Sequence, residues 1–184
     1  LVRAWFYTYK LPTVISNCSN NFGPLQHPEK LIPKVILNAL NQNPIEIYGD
    51  GLNIRDWIYV EDHIEALKKV LFLSKPGKNY CIGGSSEKAN IDVVNIICNK
   101  LDIVRPIGVS YKTLIKFVKD RPGHDYRYAI NSINILNDLN WRPKYSFEEG
   151  ILKTINWYLE NIDWFNEGNL KDINLLTKRQ GLLN

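Results

Sequence analysis

The sequence predicts an α/β fold, and three observations carry that expectation. Short β-branched or aromatic runs, such as Thr13-Val14-Ile15, Ile45-Glu46-Ile47-Tyr48 and Asp56-Trp57-Ile58-Tyr59-Val60, read as strands. Between them stand segments whose apolar residues recur at helical spacing, as Ile32, Val35, Ile36, Ala39 and Leu40 do. The first strand, predicted over Thr13–Asn20, runs into a turn crowded with amides and hydroxyls, Ser16-Asn17-Cys18-Ser19-Asn20-Asn21-Phe22-Gly23-Pro24. Open α/β sheets bind polar ligands in such turns, at the carboxyl ends of parallel strands.

The elements follow in order. Leu1 to Tyr9 reads as the end of a helix, with Leu1, Ala4, Trp5 and Thr8 on one face and no N-cap before it. A helix over about Ile32–Asn41 accepts Pro33 in its first turn. The strand Ile45–Tyr48 ends in the turn Gly49-Asp50-Gly51. Asp62 to Leu73 reads as a helix with Ile64, Leu67 and Leu71 in line, broken by Pro76-Gly77. Tyr80-Cys81-Ile82 is a strand, Asn90 to Leu101 a helix that Asn90 could cap, and Leu114–Val118 a strand before Asp120-Arg121-Pro122-Gly123. A short helix starts at Ser132 and ends near Trp141. Ser146 and Glu149 form a capping box for a last helix that buries Phe147, Ile151, Ile155, Leu159 and Ile162. Asn21 is read as a turn former.

Composition bounds the function. A chain of 184 residues with 45% hydrophobic and 23% charged residues is globular in character, one domain or one half of a two-domain protein. Its longest apolar runs, such as Val70-Leu71-Phe72-Leu73, are too short to span a bilayer. The first ten residues lack the cleavage site of a signal peptide. The net charge of +4 comes from scattered Lys and Arg, with no clustered stripe that would suit nucleic acid. Cys18, Cys81 and Cys98 show no CxxC spacing, and His27, His63 and His124 are isolated, so neither a disulfide framework nor a metal cluster is expected, and a reducing, cytoplasmic compartment is. Glu61-Asp62 is a carboxylate pair, but at a helix start, where acids favour the dipole.

Five segments carry a resemblance. They are the Ser16–Pro24 turn, Pro28-Glu29-Lys30-Leu31-Ile32-Pro33, Tyr48-Gly49-Asp50-Gly51 followed by Arg55-Asp56-Trp57, Asn79-Tyr80-Cys81-Ile82-Gly83-Gly84, and Lys119-Asp120-Arg121-Pro122-Gly123-His124-Asp125. Together they resemble nucleotide-sugar enzymes of the extended short-chain dehydrogenase/reductase class, and within it the dTDP-glucose 4,6-dehydratases. Tyr-Gly-Asp-Gly with Arg-Asp is common to epimerases and decarboxylases of that class. Pro-Glu-Lys-Leu-Ile-Pro and Lys-Asp-Arg-Pro-Gly-His-Asp are the more specific runs. Phe22, Leu25, His27 and Tyr126 depart from the usual pattern, and the stretch from Asp102 to Thr113 is longer than expected.

The resemblance implies the carboxyl-terminal part of a Rossmann-type enzyme. Residues 1–164 would hold the last sheet strands interleaved with the smaller substrate-binding region, and residues 165–184 a tail. It implies conversion of dTDP-glucose to dTDP-4-keto-6-deoxyglucose, with NAD reduced and reoxidised within one cycle, in a homodimer. Its substrate-binding residues map onto Asn20, Lys30, Leu31, Tyr48, Arg55, Asn90, Arg121 and His124. Arg55 and Arg121 offer planar forks for pyrophosphate oxygens, and Asn20 and Asn90 offer amides. Tyr48 offers a ring for the base, Lys30 and Leu31 its edge, and His124 the base or ribose. Arg55 could instead pair with Asp56 or Asp50, and Tyr48 could be ordinary core.

Two parts of that chemistry are missing from the sequence. No Gly-rich turn leads into a helix to receive a cofactor pyrophosphate; the lone Gly49-Asp50-Gly51 is a turn. None of the ten tyrosines has a lysine four positions on, so the class's catalytic Tyr-x-x-x-Lys is absent. The expectation is an inactive substrate-binding half that meets either its missing half or another copy of itself. The alternatives left open are another nucleotide-sugar epimerase or decarboxylase, and a non-catalytic remnant that binds nucleotide.

Overall fold

Strand and helix alternate along most of the chain, as the computed structural model shows for residues 1–162. The expected tail lies outside the described residues. In chain order the elements are α1 (Val2–Tyr9), β1 (Ile15–Cys18), β2 (Asn20–Phe22), α2 (Leu31–Leu40), β3 (Ile45–Tyr48), β4 (Ile54–Tyr59) and α3 (Val60–Leu73). Then follow β5 (Asn79–Ile82), β6 (Glu87–Ala89), α4 (Asn90–Val104), β7 (Ile115–Val118), β8 (Arg127–Tyr128), α5 (Ile133–Leu139) and α6 (Phe147–Glu160). They divide into two units. The first holds residues 1–22, 53–89 and 125–150, and the second holds residues 23–52 and 90–124 with the remainder of α6.

In the first unit the expected Thr13–Asn20 strand is two strands. β1 pairs in parallel with β5, Ile15 opposite Asn79 and Cys18 opposite Ile82. Ser19 donates its N–H to the Ile82 carbonyl at 2.9 Å, and the chain then changes partner. β2 pairs in parallel with β4, Asn20 opposite Trp57 and Phe22 opposite Tyr59. The exchange occurs because β5 ends at Gly83-Gly84, leaving β1 nothing to follow. Asn21, expected in a turn, therefore lies in β2, where its amide donates to the Ser19 carbonyl at 3.1 Å. β6 pairs antiparallel and β8 parallel with β4.

The core of this unit gathers Ile58, Ala66, Val70, Tyr80, Ile82, Ile135, Leu139 and Trp141, with Val14, Cys18 and Leu67 against it. The face of α3 that is buried is therefore Asp62, Ala66 and Val70. Of the expected line of Ile64, Leu67 and Leu71, only Leu67 packs on the core, whereas Ile64 and Leu71 are exposed. Both lines obey helical spacing, and the small Ala66 side chain decides between them by letting the helix approach the strands. No residue of α1 is buried. The capping box forms as the sequence implies. Glu149 Oε2 accepts the Ser146 N–H at 2.8 Å, and Ser146 Oγ accepts the Glu149 N–H at 3.3 Å.

In the second unit β3 and β7 pair in parallel, Ile45 opposite Ile115 and Tyr48 opposite Val118. α2 packs on α4 and β3, burying Ile32, Val35, Ile36 and Ala39. α4 buries Val93, Val94, Ile97, Cys98 and Leu101. Burial pushes the Cys98 thiol up to about 11, so it is inert as a nucleophile. The long Asp102–Thr113 stretch is pinned by Asp102. Its carboxylate accepts the Ser110 hydroxyl at 2.6 Å and the Tyr111 N–H at 2.8 Å. In α6, the helix face carries Ile151, Ile155 and Tyr158 inward, and the Tyr158 hydroxyl donates to the Gln26 carbonyl at 2.9 Å.

Candidate functional site

Four of the sequence-predicted residues are carried on segments that adjoin at the carboxyl ends of two parallel strands in the second unit. Tyr48 ends β3 opposite Val118, and the next residue, Gly49, donates its N–H to the Val118 carbonyl at 2.9 Å. Gly49 has φ +59°, and a Cβ there would stand 3.1 Å from Asp120 Oδ2, so glycine lets the 120–124 loop close over the end of β3. Gly51 likewise has φ +74°, and its carbonyl accepts the Ile91 N–H at 3.0 Å, which fastens the start of α4 to the same turn. Tyr48, Asn90, Arg121 and His124 are thus carried on three segments joined at one place. Asn90 is the first helical residue of α4, directly after β6, and not the capping residue before it.

Asp120 organises this loop. Its Oδ1 accepts the Arg121 N–H at 2.8 Å and lies 2.8 Å from His124 Nδ1. The hydrogen bond from His124 is the first of the causes that hold its carboxyl below the usual range, opposed by burial and helped by the Arg121 N–H. Sequence reasoning does not single out Asp120. The available signal is an Asp opening an Asp-Arg-Pro-Gly turn, a position from which a short carboxylate reaches neighbouring main-chain N–H groups. Lys30 and Leu31 belong to the same unit at the start of α2. Lys30 pairs with Glu29 at 2.7 Å and lowers that carboxyl's pKa by its hydrogen bond.

The remaining two candidates, Asn20 and Arg55, lie in the first unit. Asn20 opens β2. Arg55 is only 8% exposed, and its guanidinium donates to the Ile54 carbonyl at 2.7 Å and the Asp125 carbonyl at 2.8 Å. The same Asp125 carbonyl takes the Asn53 amide at 3.2 Å, so this peptide is a fixed anchor for the strand. Asp56 beside it faces Gly84 and Ser86, whose N–H groups it accepts at 3.1 and 2.7 Å. Burial is the leading influence on its carboxyl and raises its pKa, opposed by these hydrogen bonds.

A separate groove of about 560 Å³ in the first unit is lined by Glu61, Asp62, Lys69, Arg142 and Tyr145 among others, and by none of the candidate residues. Asp62 is buried there and accepts the N–H groups of Lys144 and Tyr145 at 2.9 and 3.0 Å, so the Glu61-Asp62 pair includes a structural member. Among the described residues no cluster of three His, Cys, Asp or Glu could hold a metal ion, and no helix is long and apolar enough to cross a membrane.

Parallel β-strands, crossover helices and a polar loop cluster at strand ends match part of a Rossmann-type extended short-chain dehydrogenase/reductase. Known proteins agree with that class. A family model described as GDP-mannose 4,6 dehydratase matches residues 1–154, and the chain belongs to that family. The chain is 56% identical over 166 residues to the dTDP-glucose 4,6-dehydratase of Salmonella typhimurium, covering 90% of this chain and 46% of the relative. Among solved structures, the dTDP-glucose 4,6-dehydratase from Bacillus anthracis in complex with NAD is 44% identical with a TM-score of 0.80, covering 89% of this chain and 50% of that one. The Streptomyces venezuelae dTDP-glucose 4,6-dehydratase with NAD and TYD bound is 39% identical with a TM-score of 0.81, covering 89% and 48%. The chain spans about half the length of the curated relatives it matches.

Proposed function

We propose that this chain is the nucleotide-sugar-binding half of a dTDP-glucose 4,6-dehydratase, acting in the cytoplasm, with residues 1–164 interleaving Rossmann elements and substrate-binding region. The observation that carries it is the joining of Tyr48, Asn90, Arg121 and His124 at the ends of β3 and β7. Pyrophosphate calls for cations and amides, and a base calls for a flat ring; this cluster supplies each. By the same reading Asn20 and Arg55, in the first unit, are assigned an amide and a guanidinium contact, and Lys30 and Leu31, in the second, the base edge. Replacing Arg55 or Arg121 by Ala is expected to weaken dTDP binding by about 1.5–3 kcal/mol, with Lys restoring only part because it lacks the fork. Titration calorimetry with dTDP and with UDP measures this. Equal affinity for the two nucleotides would favour another member of the class, and unchanged affinity in both Ala variants would remove the arginines from the site.

NAD would supply hydride exchange in the complete enzyme, but the residues here do not fit its pyrophosphate. Gly49 and Gly51 take left-handed φ values in a tight turn that leads into β4, not into a helix N-terminus. The chain also has no Tyr-x-x-x-Lys. Incubated with dTDP-glucose and NAD, it is expected to form no 4-keto product. Turnover at about 1 per second or faster, a typical enzymatic rate, would contradict the assignment. Among the described residues β1 pairs with β5 alone, and α1 exposes Val2, Trp5 and Tyr9. We assign that edge and helix to self-association or to the rest of the enzyme.

A further inference from the structure

We infer that Asp120 is a positioning residue that fixes His124 as its Nδ1–H tautomer, leaving Nε2 to accept a hydrogen bond from a donor on the bound nucleoside. The inference rests on the nucleotide-site reading above and deepens it. It begins from acceptor chemistry: an ionised carboxylate has no proton to donate. Asp120 Oδ1 lies 2.8 Å from His124 Nδ1, and the carboxyl is held below its usual range, so it is ionised at neutral pH. The proton in that bond is therefore on Nδ1. In a neutral imidazole the second nitrogen is then a bare acceptor. A bare acceptor suits a hydroxyl or an N–H, such as the sugar 3′-hydroxyl or the thymine N3–H, and does not suit a phosphate oxygen.

The surroundings are built to keep this arrangement. The His124 side chain is only 6% exposed. Asp120 is itself held, because the Arg121 N–H donates to the same oxygen, and its other oxygen lies 3.1 Å from where a Cβ on Gly49 would stand. Any side chain at position 49 would meet the carboxylate, so the Tyr48-Gly49 turn and the His124 ring are set by one group.

The test uses the whole chain labelled with 15N, with His124→Gln to assign the ring signals and long-range 1H–15N correlation to read the tautomer. The neutral ring of His124 is expected to show a protonated Nδ1 and a bare Nε2. Asp120→Ala should release it toward the Nε2–H form, and Asp120→Asn, whose amide oxygen still accepts, should retain it. The affinity for dTDP should fall about tenfold in Asp120→Ala, the worth of one hydrogen bond, and not fall further when His124 is already Gln. Binding of 3′-deoxy-dTDP and of the N3-methyl base analogue tells which donor is met. A bare Nδ1 in the wild-type chain, or an equal loss from Asp120→Ala with and without His124, would overturn the inference. Absence of dTDP binding by a chain whose tautomer is as expected would instead overturn the nucleotide-site reading.

Discussion

Gly84→Ala is expected to destabilise the chain by about 4 kcal/mol or more, a large share of the roughly 5–15 kcal/mol by which folded chains are stable. An added Cβ would stand 1.7 Å from the Trp57 carbonyl oxygen, 2.6 Å from its carbon and 3.0 Å from Ile58 Cα. These are main-chain atoms of β4, which cannot swing away as a side-chain tip would. β4 also pairs with β2, β6 and β8, so a shift at Trp57 disturbs three partners at once. Thermal denaturation followed by circular dichroism measures the effect. A melting temperature within a few degrees of the parent would mean that Gly84 does not lie against β4.

Asp56→Ala is the second large effect. The carboxylate is 1% exposed and holds the N–H groups of Gly84 and Ser86. Its removal leaves two donors without an acceptor, at about 1–3 kcal/mol each, so a loss of roughly 2–6 kcal/mol is expected. Asp56→Asn should cost less, since its amide oxygen still accepts one of the two. The pH dependence has a definite sign. Because the folded carboxyl titrates above its unfolded value of 3.8, this group's contribution to stability is full below that value and is lost as pH rises through the folded pKa. The gap between parent and Asp56→Ala should therefore widen on acidification through that window. Denaturant melts at pH 3.5, 5 and 7 check it, and a gap that narrows toward low pH would rule the cause out.

Periodicity and turn chemistry made much of this fold legible. The strand Ile45–Tyr48, the capping box at Ser146 and Glu149, and the Pro33 first turn all follow from local rules that tertiary packing did not override. The division of Thr13–Asn20 into β1 and β2 was not legible, because its cause is the end of β5 some sixty residues later. Nor was the buried face of α3, where two apolar lines satisfy the same period and only the strand beneath selects one. Of the candidate site, the residue types and their motifs could be read from sequence. The hub role of Asp120 could not, since it depends on the loop closing over Gly49, a contact between positions 71 apart in the chain. Arg55 shows the same limit: its link to the Asp125 carbonyl joins residues 70 apart.

The division into two units has a consequence for how the chain is made and cut. The polypeptide passes from one unit to the other five times, after residues 22, 52, 89, 124 and 150. Neither unit is a continuous stretch, so no truncation at either terminus yields one without the other, and a single protease nick severs a unit without releasing it. Each unit must also gather segments far apart in sequence before its core closes, which raises contact order and slows folding. β1 is synthesised long before its partner β5, and β3 before β7, so these two pairings form only once the later strand has been made.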